Sequence, residues 1–357
     1  MENIIDIIKK EVINRSNEFE KQTKGTKDEY NLYEEHVKYV YKYVCILSKG
    51  KNVDHEVLEL SALLHDISMT DSTLDIARHN EYGAKMAEEL LVNLNYPKEK
   101  IEFVKKCILN HSNKRASFRT TSEEQILVDA DGLSHFDAIY SLYTLAHDVK
   151  GLNDEDSIKY IQEKLTKDYN EISVELRHLI EEKYKRVMAA KSIKDLLDII
   201  FVCRKINSNE MNKLYNLAPN IDLWDKYYSL RQQQYTNNEL DIYVIEINNQ
   251  VIGEITVNYI SHDLDSETIP NKRVYFEAFR LDKKYRGIGL GQYLMSYAMN
   301  ELENKGYKEF TIGVEDDNEV AKHIYFKYGF TEAIDRGHGN EFDPSSYTLY
   351  MRSGRSK

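Results

Sequence analysis

From Asn3 to about Lys191, apolar residues recur at the spacing of amphipathic helices. Tyr33, Val37, Val40 and Val44 form one stripe. Val57, Leu60, Leu64 and Ile67 form a second, and Ala84, Ala87, Leu90 and Leu91 a third. Turn signals separate the stripes at Lys49-Gly50-Lys51-Asn52, Asn95-Tyr96-Pro97 and Lys150-Gly151-Leu152-Asn153. After about Leu196 the pattern changes to strands and helices in alternation. Asp198–Arg204 predicts a strand and Asn209–Leu217 a helix. Ile242–Ile247, Val251–Tyr259 and Arg273–Leu281 predict further strands. A helix at Leu290–Lys305 is closed by Gly306, and one at Glu319–Tyr328 by Gly329, because glycine accepts the left-handed conformation that ends a helix. Strands at Phe310–Val314 and Tyr347–Met351 complete the set. The change of period places a domain boundary near 195, giving domains 1–195 and 196–357.

A chain of 357 residues is long enough for two cores, and 41% apolar with 30% charged residues fits a soluble globular protein. The formal charge of −12, from 48 basic and 60 acidic residues, disfavours duplex nucleic acid and tolerates cationic amines. Cys45, Cys107 and Cys203 lie far apart in apolar runs, which predicts buried reduced thiols rather than disulfides or a zinc cluster. No segment approaches the roughly 20 apolar residues of a membrane span. Met1–Lys10 lacks a basic segment before an apolar stretch. The expectation is a cytoplasmic protein with no membrane partner.

Eight of the eleven histidines precede Asp195, whereas the glycines crowd toward the other end. In Leu60–Ile67, the Asp66 carboxylate falls on one helical face with Ala62 and Leu63, with no cation three or four residues away. A buried carboxylate without a partner costs several kcal/mol, on the order of a lost ion pair, so a cation should meet it from elsewhere. His65 is beside it. His36 lies along the stripe of Tyr33 and Val40, and Asp131 lies above Leu127 and Val128, with Asp129 as a rival. Mixed nitrogen and oxygen donors of this kind suit a divalent transition metal better than calcium.

These segments resemble the HD superfamily of metal-dependent phosphohydrolases. The resemblance rests on Glu35-His36-Val37, Ala62–Ile67, His79–Ala84, Ile108–Ser112 and Asp129–Leu133. It implies an all-α domain that binds one or two divalent ions (Mn, Fe, Zn, Co, Ni or Mg). The implied ligands are His36, His65, Asp66 and Asp131, with His79 and His111 completing a second site in two-metal members or touching phosphate in one-metal members. Asp66 is also the implied catalytic carboxylate. Ser68 and Gly132 replace the family's usual glycine and basic residue, and Ser134 stands where Asp is frequent. Arg78, Lys114 and Arg115 flank the histidines as candidate phosphate clamps. His55, His135, His147 and His178 are read as structural.

In the second half, Arg280–Gln292 joins a strand to a helix, with glycines at 287, 289 and 291. Glycines there let backbone N–H groups converge at a helix N-terminus, which is an anion site. The loop comes late in its domain, unlike a Rossmann fingerprint, and no Walker lysine follows. Residues 198–352 resemble the GNAT acetyltransferase superfamily, through Arg286–Gly291 and through Asn318, Ala321, Tyr325, Gly329 and Phe330. The resemblance implies an α+β fold with a mixed, mostly antiparallel sheet. Arg286, Gly287, Ile288, Gly289, Leu290 and Gly291 would hold the acetyl-CoA pyrophosphate. Leu281 would pair with the pantetheine, Asn318 would touch the cofactor, and Tyr325 would protonate the thiolate. Glu277 is the candidate base. Loops 261–271 and 335–346, with Asp263, Asp265, Glu267, Asp335, Glu341 and Asp343, are predicted to wall an acceptor pocket.

The reading is a bifunctional enzyme. One site is a phosphohydrolase for a nucleotide or other small phosphorylated substrate, and the other an N-acetyltransferase for a small-molecule amine acceptor. Homo-oligomerisation is left open. The alternative is an acetyltransferase whose HD-like domain is a non-catalytic metal- or nucleotide-binding sensor. A di-iron oxygenase on the same helical scaffold is a third class and needs all six ligands.

Overall fold

The computed structural model describes residues 3–26, 29–111, 113–217, 221–287, 289–338 and 345–353. The chain divides into two compact units, Met1–Ile200 and Phe201–Lys357. Among the described residues no helix is long and apolar enough to cross a membrane.

The first unit is helical. Its helices are α1 (Ile4–Thr23), α2 (Lys38–Ser48), α3 (His55–Leu64), α4 (His79–Asn93), α5 (Lys98–Asn110), α6 (Ser122–Asp137), α7 (Ile139–Thr144), α8 (Asp154–Glu171), α9 (Glu181–Ala189) and α10 (Ile193–Ile200). Helix α3 is the axis of the core: Val57, Leu58 and all of Leu60–Leu64 are buried. Asp54 caps it by accepting from the Val57 amide at 3.1 Å, which satisfies one orphan donor of its first turn. Helices α1, α2, α5 and α6 pack around it. Helix α6 opens with a capping box, in which Thr121 and Glu124 satisfy each other's backbone donors. Glu124 is fully buried, and it also accepts from Asn110 at 2.6 Å, so the end of α5 is locked to the start of α6.

Two expectations change here. Helix α3 stops at Leu64, so Asp66 does not share its face; with φ −112° and ψ 16° it turns out of the helix. The chain then enters a short 3-10 turn, Ile67–Thr70. Of the three cysteines only Cys107 is buried; Cys45 lies on the outer side of α2, away from the Val40–Val44–Leu47 stripe.

The second unit is built on a seven-stranded sheet of order β1-β2-β3-β4-β5-β7-β6. The strands are β1 (Phe201–Lys205), β2 (Leu240–Ile247), β3 (Gln250–Asn258), β4 (Arg273–Leu281), β5 (Glu309–Glu315), β6 (Glu332–His338) and β7 (Ser346–Ser353). Neighbours are antiparallel except β4 and β5, which are joined by the crossover helix α12 (Leu290–Asn304). Helices α11 (Ile221–Thr236) and α13 (Glu319–Lys327) complete the unit.

The predicted strand at Asp198–Arg204 is a helix end followed by a strand. Leu196, Ile199 and Ile200 keep helical spacing into the core, and β1 begins only at Phe201. The segment Ser208–Leu217 forms 3-10 turns rather than an α-helix. Helix α11 and the edge strand β6 were not expected from the pattern. The first hides its apolar residues among tyrosines and glutamines, and the second is almost wholly exposed.

The parallel pairing of β4 with β5 covers only Arg273–Phe276 against Glu309–Ile312. Beyond that point the two strands run on without pairing to each other. Opposite the opening, β4 bulges against β3 between Glu277 and Arg280, and Ala278 takes φ 50° there.

Candidate functional sites

In the first unit, five elements deliver six side chains to one place. His36 comes from a widened turn over Tyr33–Val37, and His65 and Asp66 from the end of α3. His79 opens α4, His111 follows α5, and Asp131 lies in α6. Gly83 permits this: a Cβ there would sit 2.8 Å from the His65 carbonyl, so only glycine lets α4 pass so near the His65-Asp66 turn. Ser68 adds a bond from its hydroxyl to the His79 carbonyl at 2.9 Å, fastening the same turn to α4.

Three of the imidazoles are oriented alike. Nδ1 of His65 lies 2.9 Å from the Ala62 carbonyl, Nδ1 of His79 2.9 Å from Ile76, and Nδ1 of His111 2.6 Å from Ile108. A carbonyl can only accept, so each Nδ1 carries a proton, and in the neutral ring the lone pair is on Nε2. The Nε2 atoms converge. The Nε2 atoms of His36 and His65 are 3.1 Å apart, and those of His79 and His111 3.2 Å apart.

The carboxylates complete two groups, His36–His65–Asp131 and Asp66–His79–His111. Asp131 Oδ1 lies 3.2 Å from His36 Nε2. Asp66 spans both groups. Its Oδ2 is 3.5 Å from His65 and 3.6 Å from His36, and its Oδ1 is 3.5 Å from His111 and 3.7 Å from His79. Oδ1 of Asp66 and of Asp131 are buried with no hydrogen-bond partner among the described residues.

Burial opposes ionisation of Asp66, yet His65, His111 and His36 outweigh it and hold the carboxyl well below the usual range. Burial lowers His65 to about 4, which keeps it neutral. For His36 and His111 burial also works against the proton, but Asp131 and Asp66 respectively overcome it and raise both. Converging ring nitrogens with two buried carboxylate oxygens are donors that suit a divalent metal, and the residues present fit one or two ions.

Asp129 is elsewhere, accepting from the Ser173 amide at 2.8 Å and its hydroxyl at 2.9 Å. Arg78 is exposed and paired with Glu81, and Arg115 donates to Asn110 Oδ1 at 3.0 Å. The side chain of Lys114 and residue Ser112 lie outside the described residues. His135, read as structural, adjoins the site: its ring stacks on His36 at 5.1 Å and 16°. Its spacing from Asp131 in α6 was the available signal.

In the second unit, Arg286 to Leu290 lead into α12. Gly287 and Gly289 adopt φ 86° and 85°, which other residues rarely take, and Gly289 gives the helix no side-chain cap. Gly291 packs its backbone against Phe279, with a Cβ position 3.2 Å from the ring. First-turn amides are thus left for an anion. Arg286 donates through Nε to the Leu281 carbonyl at 3.0 Å, drawing the loop toward the end of β4. Ile288 lies outside the described residues.

Asn318 caps α13, accepting from the Ala321 amide at 3.0 Å. Tyr325 is buried, its ring 6.1 Å from Phe279 on β4. Burial, with Glu315 adding to it, raises its hydroxyl so that it keeps its proton. Glu277 has both oxygens engaged, by Arg231 from α11 and by Asn258 Nδ2 at 2.6 Å. Burial would raise it, but Arg231 and Asn258 hold it below its ordinary value. In the loops expected to wall an acceptor pocket, Glu267 is fully buried and accepts from the His262 amide at 2.9 Å, and Ser266 bonds to Asp335. Glu341 and Asp343 lie outside the described residues.

Residues 33–135 match the family model of the HD domain, and residues 208–330 match that of the acetyltransferase (GNAT) family. No curated protein matches the chain. Among solved structures, a GNAT family acetyltransferase from Elizabethkingia anophelis with acetyl-CoA bound is 16% identical, with a TM-score of 0.32, over 43% of this chain and 97% of its own. Ard1 from Thermoplasma volcanium is 16% identical with a TM-score of 0.35, over 44% of this chain and 99% of its own. The PaiA N-acetyltransferase from Thermoplasma acidophilum in complex with coenzyme A is 17% identical with a TM-score of 0.32, over 43% and 98%. The chain joins an N-terminal HD domain to a C-terminal GNAT acetyltransferase domain.

Proposed function

We propose that the chain is a bifunctional cytoplasmic enzyme, a metal-dependent phosphohydrolase in its first unit and an acetyl-CoA-dependent N-acetyltransferase in its second. The observation that carries the first activity is the set of Nε2 atoms converging on two carboxylates with buried, unpartnered oxygens. His36, His65 and Asp131 would hold one ion, His79 and His111 a second, and Asp66 would serve both. A bound ion lowers the pKa of its water toward neutrality and neutralises phosphate charge. The chain's own part is to fix the imidazoles of His65, His79 and His111 through their Nδ1 bonds, so that these nitrogens need no reorganisation. The substrate we assign is a small phosphorylated molecule such as a nucleotide.

In the second unit, the uncapped N-terminus of α12 is the proposed seat of the acetyl-CoA pyrophosphate, and Arg286 to Gly291, Ile288 included, the segment that cradles it. The pantetheine would lie along β4 near Leu281, where the strand is not paired to β5, with Asn318 at its side. The bound thioester would supply the acetyl group: an amine would attack its carbonyl, the N–C bond forming as the C–S bond breaks, and Tyr325 would give its proton to the departing sulfur. Glu277 at the opening receives the amine's proton through water, its own oxygens being engaged by Arg231 and Asn258. Positioning supplies most of the rate, since no covalent enzyme intermediate is needed.

Elemental analysis of the purified full chain tests the first reading. One or two equivalents of a transition metal are expected. A chain that stays metal-free after incubation with Mn²⁺ sinks it. Release of free coenzyme A thiol from acetyl-CoA in the presence of a panel of amines tests the second, which fails if no amine raises release above background.

A further inference from the structure

We propose that Lys164 of α8, held by Asp168 beside the His135 ring that stacks on His36, is the cation that contacts the substrate phosphate at the metal centre. The inference rests on the phosphohydrolase reading and adds a residue to it. Lys164 lies outside the stretch that matches the HD domain, 33–135, so no family pattern marks it.

Helix α8 reaches the site because α6 has no side chain at 132. A Cβ on Gly132 would stand 2.9 Å from Ile172 Cγ1 and 3.7 Å from the Asp168 carbonyl. With that space open, α8 lies close along α6 and presents Lys164 and Asp168, one turn apart. Lys164 Nζ donates to Asp168 Oδ1 at 2.7 Å and stands 3.4 Å from His135 Nδ1. His135 Nδ1 is 3.2 Å from the other oxygen of Asp168. The face of the His135 ring lies against His36, 5.1 Å between centroids, and His36 is 3.2 Å from Asp131. The ammonium is therefore one imidazole removed from the ligand cluster.

Its charge is directed the same way. Burial disfavours the ammonium, yet Asp168 and then Asp131 more than restore it. A lysine carries three donors, and the single carboxylate bond leaves others for a ligand. The side chain keeps 33% of its surface open, so an incoming phosphate can reach it. The nearby arginines are placed differently. Arg78 is paired with Glu81, Arg115 donates to Asn110 Oδ1, and Arg119 donates to the carbonyls of Asn110 at 2.8 Å and His111 at 3.3 Å. Each of those guanidiniums has a bond to another group of the fold, and among the described residues none is bonded beside the ligand cluster through His135 as Lys164 is. Asp168 keeps the lysine stem along α8, and His135 separates it from His36.

The test uses the full chain loaded with Mn²⁺ and inorganic phosphate as the probe. Metal content is read by elemental analysis and phosphate affinity by calorimetry, for wild type, Lys164→Gln and Lys164→Arg. Losing a charge-assisted bond predicts that Lys164→Gln weakens phosphate by about ten- to a hundredfold at unchanged metal content. Lys164→Arg, which keeps the charge, should recover most of that loss. Unchanged phosphate affinity in a metal-replete Lys164→Gln overturns the inference, as does wild-type protein that holds metal but no phosphate. Loss of metal from Lys164→Gln would make the residue structural and also overturns it. A wild type without metal overturns the phosphohydrolase reading itself, and this inference with it.

Discussion

The two candidate sites are made of different material. The N-terminal one is assembled from side chains that span His36 to Asp131, each turned inward by its own local device: a widened turn, a helix break, a helix start. The C-terminal one is made chiefly of backbone, in one stretch of loop whose glycines set the direction of the amides. Side-chain sites are defined by which groups meet, so a single truncation removes a donor. Backbone sites are defined by chain direction, so truncation removes no donor and a change of allowed φ acts through the fold of the loop.

Asp66→Ala should give the largest effect and the sharpest contrast. It removes the carboxylate common to both ligand groups, so bound metal should fall to near zero by elemental analysis and phosphohydrolysis should vanish. Coenzyme A release by the same protein should stay within about twofold, a range typical of independent sites. Joint loss of both activities would break the picture of two separate sites.

Tyr325→Phe comes next. Loss of a positioned proton donor is worth about 10²–10⁴ in rate, so kcat should drop by that order with little change in KM for acetyl-CoA. A rise in KM alone, with kcat unchanged, would show that the hydroxyl only packs.

Acidity separates the sites at an intermediate level. His36 and His111 hold their protons above the ordinary imidazole range, and metal must displace them. Metal affinity should thus decline steadily from about pH 8 to pH 6, by about ten- to a hundredfold per unit once both are protonated. Amides do not titrate, so acetyl-CoA affinity should stay flat over that window. Parallel decline of the two affinities would refute the distinction.

Gly289→Ala should be mildest. Nothing lies within 4 Å of the added Cβ, so the cost is that of a left-handed alanine, about 1–2 kcal/mol, read as a lower denaturation midpoint of the C-terminal unit. An unchanged midpoint would mean the loop relaxes freely.

Much of this was legible in the residues themselves. The candidate ligands stand in or beside apolar helical stripes, and the glycine loop is contiguous, so both groups could be picked out as candidates from sequence. Asp66 was placed on the right side of the chain for a wrong local reason, since a helix break rather than a helix face aims it. His135 was legible only through its spacing from Asp131, and Lys164 was not legible. An i,i+4 Lys–Asp pair looks like any solvated helix face, and nothing in the sequence says that Gly132 brings α8 close. The partner of Glu277 was hidden for a related reason: Arg231 sits on α11, whose apolar positions are too mixed with polar ones to announce a helix.

The point where β4 and β5 stop pairing has a consequence for the life of the protein between turnovers. A sheet with a seam in its interior is unfinished by itself, and an extended ligand laid along the seam completes it. Whatever fills that seam adds its binding free energy to the stability of the folded unit, in proportion to the logarithm of its concentration. The lifetime of the C-terminal unit against unfolding would then track the supply of its own ligand, so starvation for that ligand would be felt as turnover of the protein as well as loss of rate.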